Sequence, residues 1–242
     1  MSDPVLIGVV VPARDEALLL PACLDALALA ARQPEAAGVR VLVVVVADRC
    51  TDGTAAIARA AGARVVVTDA GNVGAARHAG MVAVLDEAAA RGLADDRVWL
   101  ACTDADSRVP GDWLVHQRAA ARSGVDAVVG TVEVTDWSGL PGHVPERFLA
   151  AYDAWQGAGL VAHPHVHGAN LGVRGSAYCA AGGFPPLAVS EDVALVEALV
   201  GAGRVVLRTP VSPVATSSRR APRAEGGFGT DLDRLATDAA TG

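Results

Sequence analysis

The apolar run Val98-Trp99-Leu100-Ala101-Cys102 leads straight into Thr103-Asp104-Ala105-Asp106, and this ending carries the clearest chemical signal in the chain. Alternate residues beyond a strand can aim their oxygens at one point, and two hard anionic oxygens there suit Mg²⁺ or Mn²⁺. Three further polar groups lie where apolar runs end: Asp48 with Asp52, the Gly74–Gly80 turn, and Glu191 with Asp192. Asp48 is acceptor-only, so at a strand tip it can receive the N–H of a uracil or guanine edge, or serve as a cap. Asp52 precedes Gly53-Thr54 and a helical run, which makes it a capping residue. Arg77 can pair with a diphosphate, stack on a base, or lie on a solvated helix face.

These side chains need a scaffold that brings strand ends together. Val5–Pro12 and Arg40–Ala47 are β-branched apolar runs suited to strands buried on both faces of a parallel sheet. Between them Glu16–Arg32 has Leu20, Leu24, Leu27 and Ala31 at helical spacing. A helix over Asp52–Ala61, a strand at Arg64–Thr68 and a helix over Gly74–Arg91 continue the alternation expected of an α/β sheet with crossover helices. After Asp106, Pro110-Gly111 opens a helix to Arg122, and Asp126–Val134 reads as a strand. Gly168–Arg174, a helix over Asp192–Gly201 and a strand at Arg204–Leu207 close the fold, and the tail from Pro210 reads as a mobile loop. Ligands of such sheets bind beyond the carboxyl ends of the strands, where the polar groups fall. That layout points to a sugar-nucleotide site.

Composition narrows the choice. A chain of 242 residues can bury a full core in one domain, and a net charge of −7 disfavours non-specific nucleic-acid binding. All 20 basic residues are arginine, which removes the P-loop lysine, Schiff-base chemistry and the lysine of phosphatases that also begin with Asp-x-Asp. Any phosphate must be held by arginine, backbone N–H groups or metal. The four cysteines are scattered, without a C-x-x-C pair, and read as small buried residues of a reducing compartment. The first strand starts too early for a signal peptide, and no apolar run is long enough to span a bilayer. A cytoplasmic protein is expected, with peripheral membrane contact and a homodimer both admitted.

The motifs, taken in order, resemble family 2 of the glycosyltransferases, a nucleotide-diphospho-sugar transferase family with the GT-A fold. Val10-Val11-Pro12-Ala13-Arg14-Asp15-Glu16 is similar to its opening nucleotide-binding strand and turn, and Asp48-Arg49-Cys50-Thr51-Asp52-Gly53-Thr54 to its D-x-S-x-D-G-T, with cysteine for serine. Gly74-Ala75-Ala76-Arg77-His78-Ala79-Gly80 resembles its G-x-A-R-N-x-G turn, with histidine for asparagine. Gly168-Ala169-Asn170, Gly182-Gly183-Phe184 and Glu191-Asp192 match acceptor-side motifs. The resemblance implies an α/β fold with a mostly parallel central sheet flanked by helices. It also implies a donor-binding half over 1–107, an acceptor-binding half over 108–209, and a C-terminal loop over 210–242.

It further implies that Pro12, Arg14, Glu16, Asp48, Arg77, Asp104 and Asn170 bind a UDP- or GDP-sugar, and that Asp106, with Asp104, holds Mg²⁺ or Mn²⁺ bridging its diphosphate. Asp192 becomes the general base that takes the proton of an acceptor hydroxyl, with Glu191 holding the acceptor or orienting the base. The same two acids also suit a helix start after Ser190. Arg219 and Arg220 resemble a closing loop over the diphosphate; a solvated basic tail is the other reading. Alternate residues of His163-Pro164-His165-Val166-His167 can face one way as metal ligands, although acceptor-pocket or structural histidines are favoured. The acceptor is a small molecule or lipid-linked. A retaining transferase and a non-catalytic nucleotide-sugar-binding protein share these motifs. A nucleotidyltransferase would need a glycine-rich opening and a lysine, and a dinucleotide oxidoreductase a G-x-G-x-x-G, which the chain lacks.

Overall fold

In the computed structural model of the protein, residues 3–158 and 162–218 are described, together with Thr230 and Thr237. The first half alternates β1 (Leu6–Ala13), α1 (Leu20–Ala36), β2 (Arg40–Asp48), α2 (Thr54–Ala60), β3 (Arg64–Thr68), α3 (Val73–Ala90) and β4 (Val98–Cys102). Then come α4 (Trp113–Arg122), β5 (Ala127–Val134), α5 (Val144–Tyr152), α6 (Ala154–Gly157), β6 (Leu171–Arg174), α7 (Gly175–Ala180), α8 (Glu191–Gly201) and β7 (Val206–Thr216). The strands form one mixed sheet in the order β3-β2-β1-β4-β6-β5-β7. β6 runs antiparallel to β4 and β5, while the other pairs are parallel.

One face of the sheet packs on α1, α2 and α4 through Leu20, Leu27, Ala58, Trp113 and Leu114. The other packs on α3, α7 and α8 through Met81, Val84, Tyr178, Leu195 and Leu199. Two glycines seat α3 against β1. A Cβ on Gly8 would lie 2.2 Å from Val84 Cγ1, and one on Gly80 would lie 2.3 Å from Val10 Cγ1. Each valine fills the space its glycine leaves, and burying each side chain contributes about 1.5–3 kcal/mol. This interlock fixes the height of α3, so its first turn reaches the strand ends.

Two boundaries differ from the sequence reading. α1 begins at Leu20 rather than Glu16, because Asp15 adopts a left-handed φ of 52° and Pro21 favours the helix start. β7 extends from Val206 to Thr216, well past Leu207, so the segment after Pro210 begins as part of the sheet. Pro210 and Pro213 disguised this strand. It tolerates them because it lies at the sheet edge and carries an irregularity opposite Gly130 and Val132, with Ser212 at φ 63°. No helix among the described residues is long and apolar enough to cross a membrane.

Candidate active site

The loops after β1 and β2 are tied together by two carboxylates. Asp15 Oδ1 accepts the Thr51 N–H at 2.7 Å, the Thr51 hydroxyl and the Asp52 N–H. Asp52 accepts the Thr54 hydroxyl and N–H through Oδ1 and the Ala17 N–H at 3.0 Å through Oδ2. The N-cap position of α2 falls on Gly53, one residue after Asp52, which receives the Thr54 N–H just inside the helix and also crosses to the neighbouring loop. Together with Cys50 these acids are the one group of three such side chains, among the described residues, whose ligand atoms lie close enough to hold an ion. The oxygens already accept N–H and O–H donors, which makes the group a latch between the two loops.

The latch has a pH signature. The Thr51 N–H is the main influence holding Asp15 below the usual carboxylate range, and the Thr54 hydroxyl does the same for Asp52. A carboxylate depressed on folding stabilises fully above its unfolded value near about pH 4 and loses that contribution as pH falls through the folded value. Asp15→Asn should therefore lower Tm at pH 6, and the gap from the unsubstituted protein should narrow below about pH 4. Thermal melts across pH 6 to 2.5 measure this.

Pro12 lies half-buried in β1, Arg14 is exposed at its end, and the Glu16 N–H donates to Thr54 Oγ1 at 2.8 Å. Asp48, expected at a base edge, is buried. It accepts the Thr68 hydroxyl at 3.0 Å and the N–H groups of Ala70 at 2.8 Å and Gly71 at 2.9 Å. This segment leads to Asn72, whose side chain caps α3 by accepting the Ala75 N–H at 2.8 Å. His78, in the position of the resembling motif's asparagine, pairs with the Tyr178 hydroxyl at 3.1 Å, and that hydroxyl accepts the Phe184 N–H. The G-x-A-R-H-x-G turn thus fastens the Gly182–Phe184 loop.

Arg77 does not lie on a solvated helix face: it is 4% exposed and ion-paired with Asp104 beyond β4 and Glu191 at the start of α8. Burial pushes the Glu191 carboxyl up, and the Arg77 guanidinium opposes that shift. Asp104 is partly exposed and engages Arg77 through Oδ1. Asp106 Oδ2 accepts the Ser217 hydroxyl at 2.6 Å, and Ser107 Oγ lies 3.0 Å from Thr216 Oγ1. The acidic turn is therefore clamped to the end of β7, immediately before residues 219 and 220. Arg219 and Arg220 themselves lie outside the described residues. The carboxylate oxygens of Asp104 and Asp106 are hard donors of the kind that suits Mg²⁺ or Mn²⁺ better than a softer metal.

Across from this turn, Asp192 Oδ2 accepts the Gly168 N–H at 2.6 Å and Oδ1 accepts the Val193 N–H at 2.8 Å. The carboxylate is partly exposed and sits in the first turn of α8. Asn170, expected at the donor, belongs to the frame: Oδ1 accepts Trp113 Nε1–H at 2.8 Å, and Nδ2 donates to the Thr131 and Ser212 carbonyls. That uses the whole amide inside the protein at 3% exposure, so sheet and α4 hold it.

The three histidines are each held by hydrogen bonds within the protein. His163, His165 and His167 engage the Val129 carbonyl, the Tyr152 carbonyl and the Tyr152 hydroxyl, and His165 stacks on Tyr152 with centroids 3.9 Å apart. Burial lowers His167 to about 3, so it is neutral, and no histidine joins the acidic pair in a ligand cluster among the described residues. Sequence reasoning missed Ser217, which only the pairing of β7 brings to Asp106, and the role of Gly168. A Cβ on Gly168 would lie 2.1 Å from Arg77 Nη1, a contact foreshadowed only by a glycine beside a polar motif.

Comparison with known proteins identifies the fold. The chain superposes on glucosyl-3-phosphoglycerate synthase from Mycobacterium tuberculosis, solved with Mn²⁺, UDP and glucosyl-3-phosphoglycerate. The TM-score is 0.59 at 18% identity, covering 95% of this chain and 75% of that one. A mannosyltransferase from Pyrobaculum calidifontis in complex with GDP-mannose and Mn²⁺ gives 0.61 at 20% identity, covering 88% and 57%. S. aureus TarS with UDP gives 0.60 at 17% identity, covering 96% and 70%. No curated protein matches. The model of glycosyl transferase family 2 matches residues 8–177, and with the GT-A fold of these structures it places the chain in that family of glycosyltransferases.

Proposed function

We propose that the chain transfers a sugar from a UDP- or GDP-sugar to the hydroxyl of a small or lipid-linked acceptor, with inversion. The observation that carries this reading is that one buried arginine pairs with Asp104, in the acidic turn beyond β4, and with Glu191 at the start of α8, the neighbour of Asp192. The solved structures above, with their UDP, GDP-mannose and Mn²⁺, support the donor class.

Asp106, steadied by Ser217, and the second oxygen of Asp104 would hold Mg²⁺ or Mn²⁺, which supplies Lewis-acid neutralisation of the leaving diphosphate. Asp192 receives the acceptor proton on a carboxylate whose plane is set by two backbone N–H groups. An attacking oxygen activated on the side opposite the leaving group inverts the anomeric centre. The aromatic column of Phe148, Tyr152 and His165 gives the acceptor side a rigid wall.

Calorimetric titration of UDP, GDP, ADP and TDP with Mn²⁺, Mg²⁺ or EDTA tests the donor half. Metal-dependent binding of UDP or GDP is expected, and binding of none of the four would sink the reading. Asp106→Asn should weaken the Mn²⁺-dependent Kd by about tenfold or more, about 1.4 kcal/mol, and leave binding in EDTA unchanged.

A further inference from the structure

We infer that Arg77 is a positioning residue that sets the general base through α8, an inference that rests on the assignment of Asp192 above. The start of α8 lacks the usual means of fixing its first turn. Ser190 occupies the N-cap position in the left-handed region at φ 60° and makes no side-chain cap hydrogen bond. Its first two side chains provide the anchorage instead. Glu191 pairs with Arg77, and Asp192 accepts the Gly168 N–H.

The two anchors are one unit. Arg77 packs into the space a Gly168 side chain would fill, so the guanidinium backs the residue whose N–H holds Asp192. Nη1 engages Glu191 and Nη2 engages Asp104, while Nε has no partner among the described residues. The two acids therefore dictate the orientation of the guanidinium plane, and the Phe184 ring lies 5.9 Å from its carbon. A planar fork can serve two carboxylates on opposite sides at once; a lysine ammonium is a point charge and cannot span them in the same way. Arg77 thereby gives the acid beyond β4 and the acid on α8 a fixed separation.

Amide hydrogen exchange by NMR on the intact protein, without donor or acceptor, tests this. The Gly168 N–H reports the Asp192 anchor directly, and Asp192→Ala shows the exchange rate when that anchor is gone. In Arg77→Lys, and in Glu191→Ala where Arg77 keeps Asp104, Gly168 exchange should quicken at least tenfold while Leu100 and Val84 keep their rates. In Glu191→Ala the turnover of the donor should also fall at least tenfold with its Kd changed less than threefold. Unchanged Gly168 exchange in the folded variants would overturn the inference, as would equal acceleration at Leu100 and Val84. If Arg77→Lys fails to fold, Glu191→Ala decides alone. Failure of the donor titrations leaves this readout intact, so the two readings fail separately.

Discussion

Asp192→Asn should leave nucleotide binding within a factor of about two and lower turnover by about 10²–10⁴-fold, the range a positioned general base supplies. The substitution is nearly isosteric, but an amide has a single acceptor oxygen where the carboxylate has two. Oδ1 and Oδ2 now accept the Val193 and Gly168 N–H groups separately, so one of those bonds is lost, at a cost of about 1 kcal/mol. A melt beside the kinetics separates that modest loss from the catalytic one. Unaltered turnover in the folded variant would refute the assignment of the base.

The largest structural effect is expected at Gly74, in the first turn of α3. Alanine ordinarily favours a helix over glycine by about 1 kcal/mol. Here a Cβ would lie 2.1 Å from the Pro185 carbonyl oxygen and 2.9 Å from the Leu187 backbone. The obstacle is main chain held by the Gly74 N–H to Leu187 carbonyl bond at 3.0 Å, so it cannot rotate aside. Overpacking of this kind costs about 1–3 kcal/mol net. Urea unfolding of Gly74→Ala should show that loss, whereas Gly201→Ala, with open space around its Cβ, should be neutral or slightly stabilising. Turnover should fall as well, because the displaced loop leads into Ser190 and the two acids.

The contrast between these sites explains what was legible in the chain. Val5–Pro12 and Arg40–Ala47 announce themselves as strands because burial between two layers favours long runs of β-branched and aliphatic residues, and Arg64–Thr68, at the opposite edge, keeps an unbroken β-branched run although Val67 is exposed. β7 does not, since Val211 and Leu207 stand exposed at an edge and two prolines interrupt the run. At the site, residue type identified groups able to do chemistry but not which partners would reach them first. Asp48, Arg77 and Asn170 all have side chains a nucleotide could use; their hydrogen bonds go to the protein's own turn, acids and indole. Those competing donors and acceptors come from segments 20 to 114 residues away, beyond any local pattern.

The irregular edge of the sheet bears on how copies of this chain meet. A long outer strand with apolar side chains is ordinarily a template on which another chain can add a strand. β7 is eleven residues long and exposes Leu207 and Val211, which would invite such growth. Pro210 and Pro213 carry no N–H to offer, and the kink at Ser212 turns the ribbon where a continuous ladder would have to form. The same residues that hid the strand thus make it a poor seed for open-ended aggregation, while its inner side still carries Ser217 to Asp106.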